Sequence, residues 1–141
     1  MTDSTPRLDP ERDTEWRSRL TTLQYHVSRE AGTEMPNTGI YNMEERDGCY
    51  NCLCCGHILF TSEMKYQSGC GWPAFHTEHQ DAGIRRLEDR AYGMARVEVR
   101  CGTCDAHLGH VFRDGPPEFG GERYCINSAS IDFIQEENHD D

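Results

Sequence analysis

The apolar and polar positions form two successive patterns along the chain. In the first, the apolar residues recur every three or four positions: Trp16, Leu20, Leu23 and Val27. This spacing predicts one helix that begins at Asp13 or Thr14 and ends near Arg29. Pro36 and the residues that follow it interrupt the helical pattern.

From Ile40 onward, turn residues arrive every several positions, and short runs of alternating apolar and polar residues lie between them. Residues 95–100 and 129–133 are two such runs. Short alternating segments separated by turns predict antiparallel strands in a mainly β domain. We expect a flexible lead over residues 1–12, a single domain over 13–134 and an acidic tail over 135–141.

The composition and charge of the chain argue against several classes of function. The chain has 141 residues, which is enough for one domain, and a formal net charge of −11. That charge argues against binding to nucleic acids and to anionic membranes, because no basic surplus exists to meet phosphate groups. The sequence has no apolar run that predicts a membrane helix or a secretory signal, so we expect a cytoplasmic protein.

Two cysteine pairs have the spacing of a metal site. Cys52 and Cys55 form one CxxC pair, and Cys101 and Cys104 form another. Two such turns place four thiolates around one tetrahedral ion, which predicts one structural zinc per chain, although the spacing does not distinguish zinc from iron. Cys49 and Cys52 form an overlapping CxxC.

Turn chemistry favours the first assignment over the overlapping pair. Gly56 and Asp105 follow the second cysteine of each chosen pair, and both residue types tolerate the left-handed backbone that such turns use. Two redox pairs or buried free thiols are the alternative interpretation of these cysteines.

The other cysteines include two candidates for redox chemistry. Cys70 lies between glycines, and Cys125 lies two residues after Arg123, whose positive charge favours the reactive thiolate. On a strand, Arg123, Cys125 and Asn127 share one face. His107 and His110 are candidate proton donors. For Cys49 and Cys54 we favour inert, buried thiols.

Read together, four segments resemble the methionine-R-sulfoxide reductase B family. They are Thr33-Glu34, the stretch from Tyr66 to Phe75 around Ser-Gly-Cys-Gly-Trp-Pro, the stretch from Arg100 to Phe112 around Ala-His-Leu-Gly-His, and the stretch from Arg123 to Phe133. The resemblance implies two antiparallel sheets with short N-terminal helices. It also implies that a thiol reduces the R epimer of methionine sulfoxide in proteins, and free methionine sulfoxide is a further candidate substrate.

The same resemblance implies roles for individual residues. Cys125 matches the nucleophile and Cys70 the resolving cysteine. Trp72 matches the wall of the methyl pocket. The other matching site residues are His107, His110, Asn127 and Arg123, with Phe112 as a substrate contact and Asp114 beside it. The four zinc cysteines also match, and thioredoxin or a similar dithiol is the implied reductant. Cys54, between two zinc ligands, leaves open a ligand exchange or a second thiol relay.

Three other functions fit parts of the sequence. A zinc-ribbon interaction module explains the paired cysteines but not Cys70, Cys125 and the histidines. A zinc-containing thiol redox sensor or peroxidase explains both redox thiols but needs no methyl pocket. An enzyme with a catalytic zinc acting on a small thiol adduct needs an open metal position, which four cysteine ligands do not leave.

Overall fold

The computed structural model describes residues 10–136. Two helices precede nine strands: α1 (Pro10–Arg19), α2 (Thr22–Glu30), β1 (Gly48–Cys52), β2 (Ile58–Thr61), β3 (Lys65–Tyr66), β4 (Ala74–Phe75), β5 (Arg85–Asp89), β6 (Arg96–Arg100), β7 (His107–Phe112), β8 (Arg123–Ile126) and β9 (Ile131–Gln135). The ends of the predicted lead and tail, residues 1–9 and 137–141, lie outside this range.

The N-terminal region contains two helices, so the prediction of one continuous helix was wrong. The first helix also begins at Pro10, a residue type that suits the first helical position. Thr21 ends the run, because its hydroxyl accepts a hydrogen bond from the Gln24 amide at 3.1 Å. The Gln24 side chain accepts in return from the Thr21 amide at 2.9 Å. This reciprocal pair is a capping box, and it starts a new helix.

All strand pairs are antiparallel, and they form two sheets. The smaller sheet has the order β2-β1-β9, and the larger has the order β3-β4-β8-β7-β6-β5. The predicted mainly β fold of two antiparallel sheets is therefore confirmed. Within residues 10–136, no helix is both long and apolar enough to cross a membrane.

A core of buried aromatic rings joins the two sheets. Phe60 of β2 stacks on Phe75 of β4 with ring centroids 4.1 Å apart, and Tyr50 of β1 meets Phe75 edge-on at 5.0 Å. These three side chains are fully buried. Aromatic contacts of this kind add to the free energy of burial, so they fix how the larger sheet is placed.

The chain passes from the larger sheet to the smaller one at the start of the last alternating run, residues 129–133. Cys125 lies on β8, which ends at Ile126, and Asn127 precedes a 3-10 turn over Ser128–Ser130. The expectation that Ala129 continues the strand with Ile131 was wrong, because this turn carries the chain from the larger sheet to the smaller one. Asn127 therefore lies just beyond β8 rather than on it.

Candidate functional site

The candidate site lies on one row of residues across the larger sheet. Cys125 of β8 is the partner of Ala74 on β4 and of His110 on β7, and His110 is in turn the partner of Glu98 on β6. Directly paired residues in an antiparallel sheet project from the same face. The row therefore brings a thiol, an imidazole and a carboxylate from distant parts of the sequence together.

Cys70 and Cys125 lie in direct contact, with their sulfur atoms 3.3 Å apart. Gly69 and Gly71 adopt positive φ angles of 80° and 99°, and they form the turn that presents Cys70 to β8. The Cys70 sulfur also lies 3.3 Å from the main-chain oxygen of Trp72. A small movement within this turn is enough to form a disulfide.

The contact between the two sulfur atoms changes the pKa of both thiols. The hydrogen bond from Cys125 lowers the pKa of Cys70 to about 5. The same bond, together with burial, raises the pKa of Cys125. Arg123 acts in the predicted direction on the pKa of Cys125, but these two effects outweigh it. The two thiols together therefore lose one proton readily, and the remaining proton is shared between the two sulfur atoms.

Both candidate histidines are held by carboxylates. Nδ1 of His107 lies 2.6 Å from Oε2 of Glu98, and Nε2 of His110 lies 2.7 Å from Oδ2 of Asp89. His107 is only 2 % exposed, and its Nε2 is buried without a hydrogen-bond partner among the described residues. Burial lowers the pKa of His110, while Asp89 opposes that effect.

A bulge brings the two imidazole rings together. Residues three apart on a regular strand project from opposite faces. The register between β6 and β7 shifts, so that Val99 pairs with Gly109 and Arg100 pairs with His107, which leaves Leu108 without a partner. The rings of His107 and His110 consequently approach to 5.7 Å between centroids.

A cavity of about 90 Å³ opens beside Cys125. Its lining includes five of the predicted site residues: Trp72, His110, Phe112, Cys125 and Asn127. Thr33, Arg96 and Gly109 complete the lining. Cys70 touches Cys125 without lining the cavity, and His107 contacts the lining residue His110 without lining the cavity itself. A mixture of two aromatic rings and a few polar groups suits a small apolar group with one polar atom.

Glu34 fixes two walls of this cavity through its main chain. Its carbonyl oxygen accepts a hydrogen bond from Nε1 of Trp72 at 3.0 Å, and its amide donates to Oδ1 of Asn127 at 2.9 Å. The Glu34 carboxylate accepts from the amides of Ser128 and Ala129 at 2.9 and 2.8 Å. Trp72 and Asn127 are thus held in fixed orientations.

Arg123 is oriented by Asp114 and an aromatic ring. Its guanidinium donates to both carboxylate oxygens of Asp114 at 2.9 and 3.1 Å. It also lies over the Phe112 ring, 4.6 Å from the centroid. This contact connects the predicted substrate residue Phe112 to β8 and keeps a positive charge close to the two thiols.

The four cysteines predicted to bind metal form a separate cluster. Their sulfur atoms all lie within 4.8 Å of one another, with Cys52 3.5 Å from Cys104 and Cys55 3.6 Å from Cys101. Four sulfurs about 2.3 Å from a tetrahedral zinc ion lie about 3.8 Å apart, so the donor set and spacing fit zinc. Cys49 and Cys54 lie outside this set.

The predicted turn chemistry at the metal cluster is confirmed. Gly56 and Asp105 have φ angles of +82° and +67°. Their amides donate to the main-chain oxygens of Cys52 and Cys101, each at 2.8 Å. Arg29 of α2 donates to the Cys104 carbonyl at 2.9 Å and lies 3.6 Å from its sulfur, so the helices pack against the cluster.

The sequence pattern does not mark Asp89, Arg96 and Glu98 as site residues. Asp89 and Glu98 are acidic residues in short polar strands, and Arg96 is one of many arginines. Nothing in their local pattern distinguishes them from a solvated sheet face. Only the strand order β5-β6-β7 shows that they surround the two histidines.

Comparisons with known proteins agree with this geometry. The model of the SelR domain family matches residues 20–135. A probable methionine-R-sulfoxide reductase B of Caenorhabditis elegans is 58 % identical over 123 residues, which cover 86 % of this chain and 81 % of the relative. The peptide methionine sulfoxide reductase MsrB of Chromohalobacter salexigens is 53 % identical over 84 % of this chain and 90 % of the relative.

A solved structure resembles the fold alone. The Yippee-like domain of Mis18 superposes with a TM-score of 0.52 at 16 % sequence identity, and the match covers 66 % of this chain and all of that domain. The family match and the high identity to curated relatives are far more specific than this shared fold. The chain therefore belongs to the SelR-domain family of methionine-R-sulfoxide reductases B.

Proposed function

We propose that the chain reduces methionine R-sulfoxide in proteins to methionine, with Cys125 as the nucleophile and Cys70 as the resolving thiol; free methionine sulfoxide is a further candidate substrate. The observation that carries this proposal is the 3.3 Å contact between the two sulfur atoms at the mouth of a cavity lined by Trp72 and His110. A nucleophile, a resolving thiol, an apolar wall and an imidazole are the groups that the reaction requires.

The Cys125 proton must leave before the sulfur can attack. The contact with Cys70 offers a route, because a thiolate on Cys70 accepts that proton over 3.3 Å. Arg123 stabilises the resulting Cys125 thiolate, since it lowers the pKa of that thiol. Cys70 thus acts first as a proton acceptor and later as a nucleophile.

The Cys125 thiolate then attacks the sulfur of the sulfoxide. The attack forms a bond between the two sulfur atoms. The oxygen, with one proton, then moves from the substrate sulfur to the Cys125 sulfur. The sulfur–sulfur bond and the sulfur–oxygen bond of the substrate both break, so that methionine leaves and Cys125 becomes a sulfenic acid. The Cys125 sulfur is oxidised by two electrons, and the substrate sulfur is reduced by two. His110, which lines the cavity, supplies the proton to the departing oxygen.

Cys70 completes the chemistry on the protein. Its sulfur attacks the sulfenic sulfur of Cys125, a disulfide forms, and one water molecule leaves. An external dithiol, for which thioredoxin is our proposal, then reduces the disulfide and is itself oxidised. This cycle requires a reducing compartment, which supports the cytoplasm as the location.

The walls of the cavity suit the methyl group of the substrate. Trp72 presents a flat apolar surface, and contacts between sulfur and aromatic rings contribute up to ~1.5 kcal/mol. Phe112 forms a second aromatic wall. Cys52, Cys55, Cys101 and Cys104 would hold the zinc ion, which supplies a structural cross-link between two turns and leaves no open position for chemistry.

The test uses separated R and S epimers of methionine sulfoxide, with dithiothreitol as the reductant. We expect turnover of the R epimer alone, loss of turnover in Cys125→Ser, and retention in the matched control Cys49→Ser, because Cys49 lies on β1 of the other sheet. Turnover of the S epimer, or residual catalysis by Cys125→Ser, would contradict the proposal.

A second assay separates the roles of the two thiols. Cys70→Ser should still form about one methionine per enzyme in a single turnover, at a lower rate because the proton acceptor is gone, and it should lose cycling with thioredoxin. Undiminished cycling in this variant would show that another thiol, such as Cys54, resolves the sulfenic acid.

A further inference from the structure

Asp89 stands behind His110 at the end of β5. Its Oδ2 lies 2.7 Å from Nε2 of His110 and 3.3 Å from Nη2 of Arg96. Its Oδ1 accepts from the Ala91 amide at 2.9 Å, which closes the turn into β6. One carboxylate therefore joins a cavity imidazole, a cavity guanidinium and the hairpin that carries them.

We propose that Asp89 is a positioning residue that holds His110 with a proton on Nε2. The inference rests on the proposed role of His110 as proton donor. An ionised carboxylate only accepts hydrogen bonds, so the nitrogen that faces it must be the N–H. His110 then gives and takes its catalytic proton at Nδ1, and Asp89 decides which nitrogen is left for that exchange.

The other hydrogen-bond partners of Asp89 fix the orientation of its carboxylate. The Ala91 amide occupies Oδ1, and Arg96 shares Oδ2, so neither oxygen can rotate away from His110 without losing a hydrogen bond. The strand register pairs Asp89 directly with Arg96. The side chains of Asp89 and His110 are only 20 % and 13 % exposed, so solvent competes weakly for their contact.

Several charged or titratable groups surround the His110 ring. They are Asp89 on β5, Arg96 and Glu98 on β6, His107 on β7, and Cys125 and Arg123 on β8. Burial is the main cause that lowers the pKa of His110, Arg96 and His107 lower it further, and Asp89 raises it. Asp89 thus opposes the fall in the His110 pKa that burial causes.

The Asp89→Asn variant isolates this role. Asparagine keeps an oxygen for the Ala91 amide, so the turn persists, while its amide group donates to Nε2 and favours the opposite tautomer. The matched control is Glu88→Gln, which removes the same charge one position earlier from a side chain that is 63 % exposed. Asp89→Glu tests whether another carboxylate restores function.

Two readouts are measured on each protein in its zinc-bound form. The first readout is kcat for the R-sulfoxide as a function of pH. In Asp89→Asn, we expect the apparent pKa that His110 gives to this profile to fall by about one pH unit. We also expect kcat at pH 7 to fall about tenfold. KM should change less than threefold, Asp89→Glu should recover part of kcat, and Glu88→Gln should match the wild type. In ¹⁵N spectra of histidine-labelled protein, the proton of neutral His110 should lie on Nε2 and move to Nδ1 in Asp89→Asn.

The outcomes distinguish failure of this inference from failure of the proposed function. An unchanged pH limb together with an unchanged ¹⁵N pattern would overturn the role of Asp89, as would a loss of kcat that only follows the folded fraction. If the wild type reduces neither epimer, the proposed function fails. The spectra still decide whether Asp89 sets the His110 tautomer.

Discussion

Glu34 provides the sharpest test of how the site is held together. Its side chain is 3 % exposed, and its carboxylate accepts from the amides of Ser128 and Ala129 at 2.9 and 2.8 Å. Replacement by alanine leaves the buried N–H of Ser128 and the half-buried N–H of Ala129 without this acceptor. Each such group costs ~1–3 kcal/mol, so Glu34→Ala should lower the free energy of unfolding by about 2–6 kcal/mol.

A graded series makes this reasoning testable. Glu34→Gln keeps one acceptor oxygen and turns an NH₂ group toward the other main-chain amide. This variant should therefore lower the free energy of unfolding by ~1–3 kcal/mol. The matched control is Glu30→Ala. In the unmodified protein, the Glu30 side chain is 45 % exposed, and its carboxylate lies 3.3 Å from the His26 ring. Loss of an exposed ion pair costs at most ~1 kcal/mol.

The assay is urea unfolding at pH 7 in the presence of zinc and reductant, followed by circular dichroism. Trp72 and Asn127 bind the main chain of Glu34 rather than its side chain, so activity per folded molecule should fall much less than stability. A loss below ~1 kcal/mol in Glu34→Ala would contradict this role of the carboxylate, because it would mean that water replaces the carboxylate without cost.

The pH dependence adds a second check on Glu34. Burial raises the pKa of this carboxyl above its usual 4.5. The folded state therefore binds the proton more tightly than the unfolded state, and this contribution to stability is present below pH 4.5 and is lost as the pH rises through the folded-state pKa. Glu34→Gln lacks this contribution, so its stability deficit should narrow across that interval.

Three further predictions concern the thiols, the metal and the sheet. Because the pKa of Cys70 is about 5, alkylation of Cys70 by iodoacetamide should remain fast down to about pH 5, and Cys125→Ser should move the midpoint of Cys70 alkylation upward; an unmoved midpoint would show that the two thiols are not coupled. Metal analysis should find about one zinc per chain, and chelation should unfold the protein, whereas a folded protein without metal would contradict a structural role. In Gly109→Ala, the added Cβ would lie 2.0 Å from the Cys125 carbonyl oxygen, so the variant should lose ~1–3 kcal/mol of stability and most of its activity; an unchanged melting temperature would contradict this.

The fold class and the candidate metal ligands follow from local features of the sequence. Alternating runs separated by turn residues predicted a mainly β domain, because the period of a strand is local. The two CxxC turns, with Gly56 and Asp105 after them, predicted which four cysteines come together. These features depend on neighbouring residues, so they can be read without knowing the fold.

Local pattern also failed at identifiable positions. The apolar spacing from Trp16 to Val27 is continuous, and it conceals the capping box at Thr21 that divides the region into two helices. Likewise, Ala129 continues an alternating run in the sequence but lies in a 3-10 turn between the sheets. At Thr21, side-chain hydrogen bonds end the helical pattern, and at Ala129 the change of sheet ends the strand pattern.

The assembly of the candidate site depends on long-range strand pairing, which local sequence does not show. His107 and His110 share a face because β7 contains a bulge opposite Val99 and Arg100, and strand periodicity alone places them on opposite faces. Asp89 joins the site because β5 and β6 lie beside β7, although 21 positions separate it from His110. Long-range pairing chooses these neighbours, and its register is set by packing and hydrogen bonds across the whole sheet rather than by local sequence.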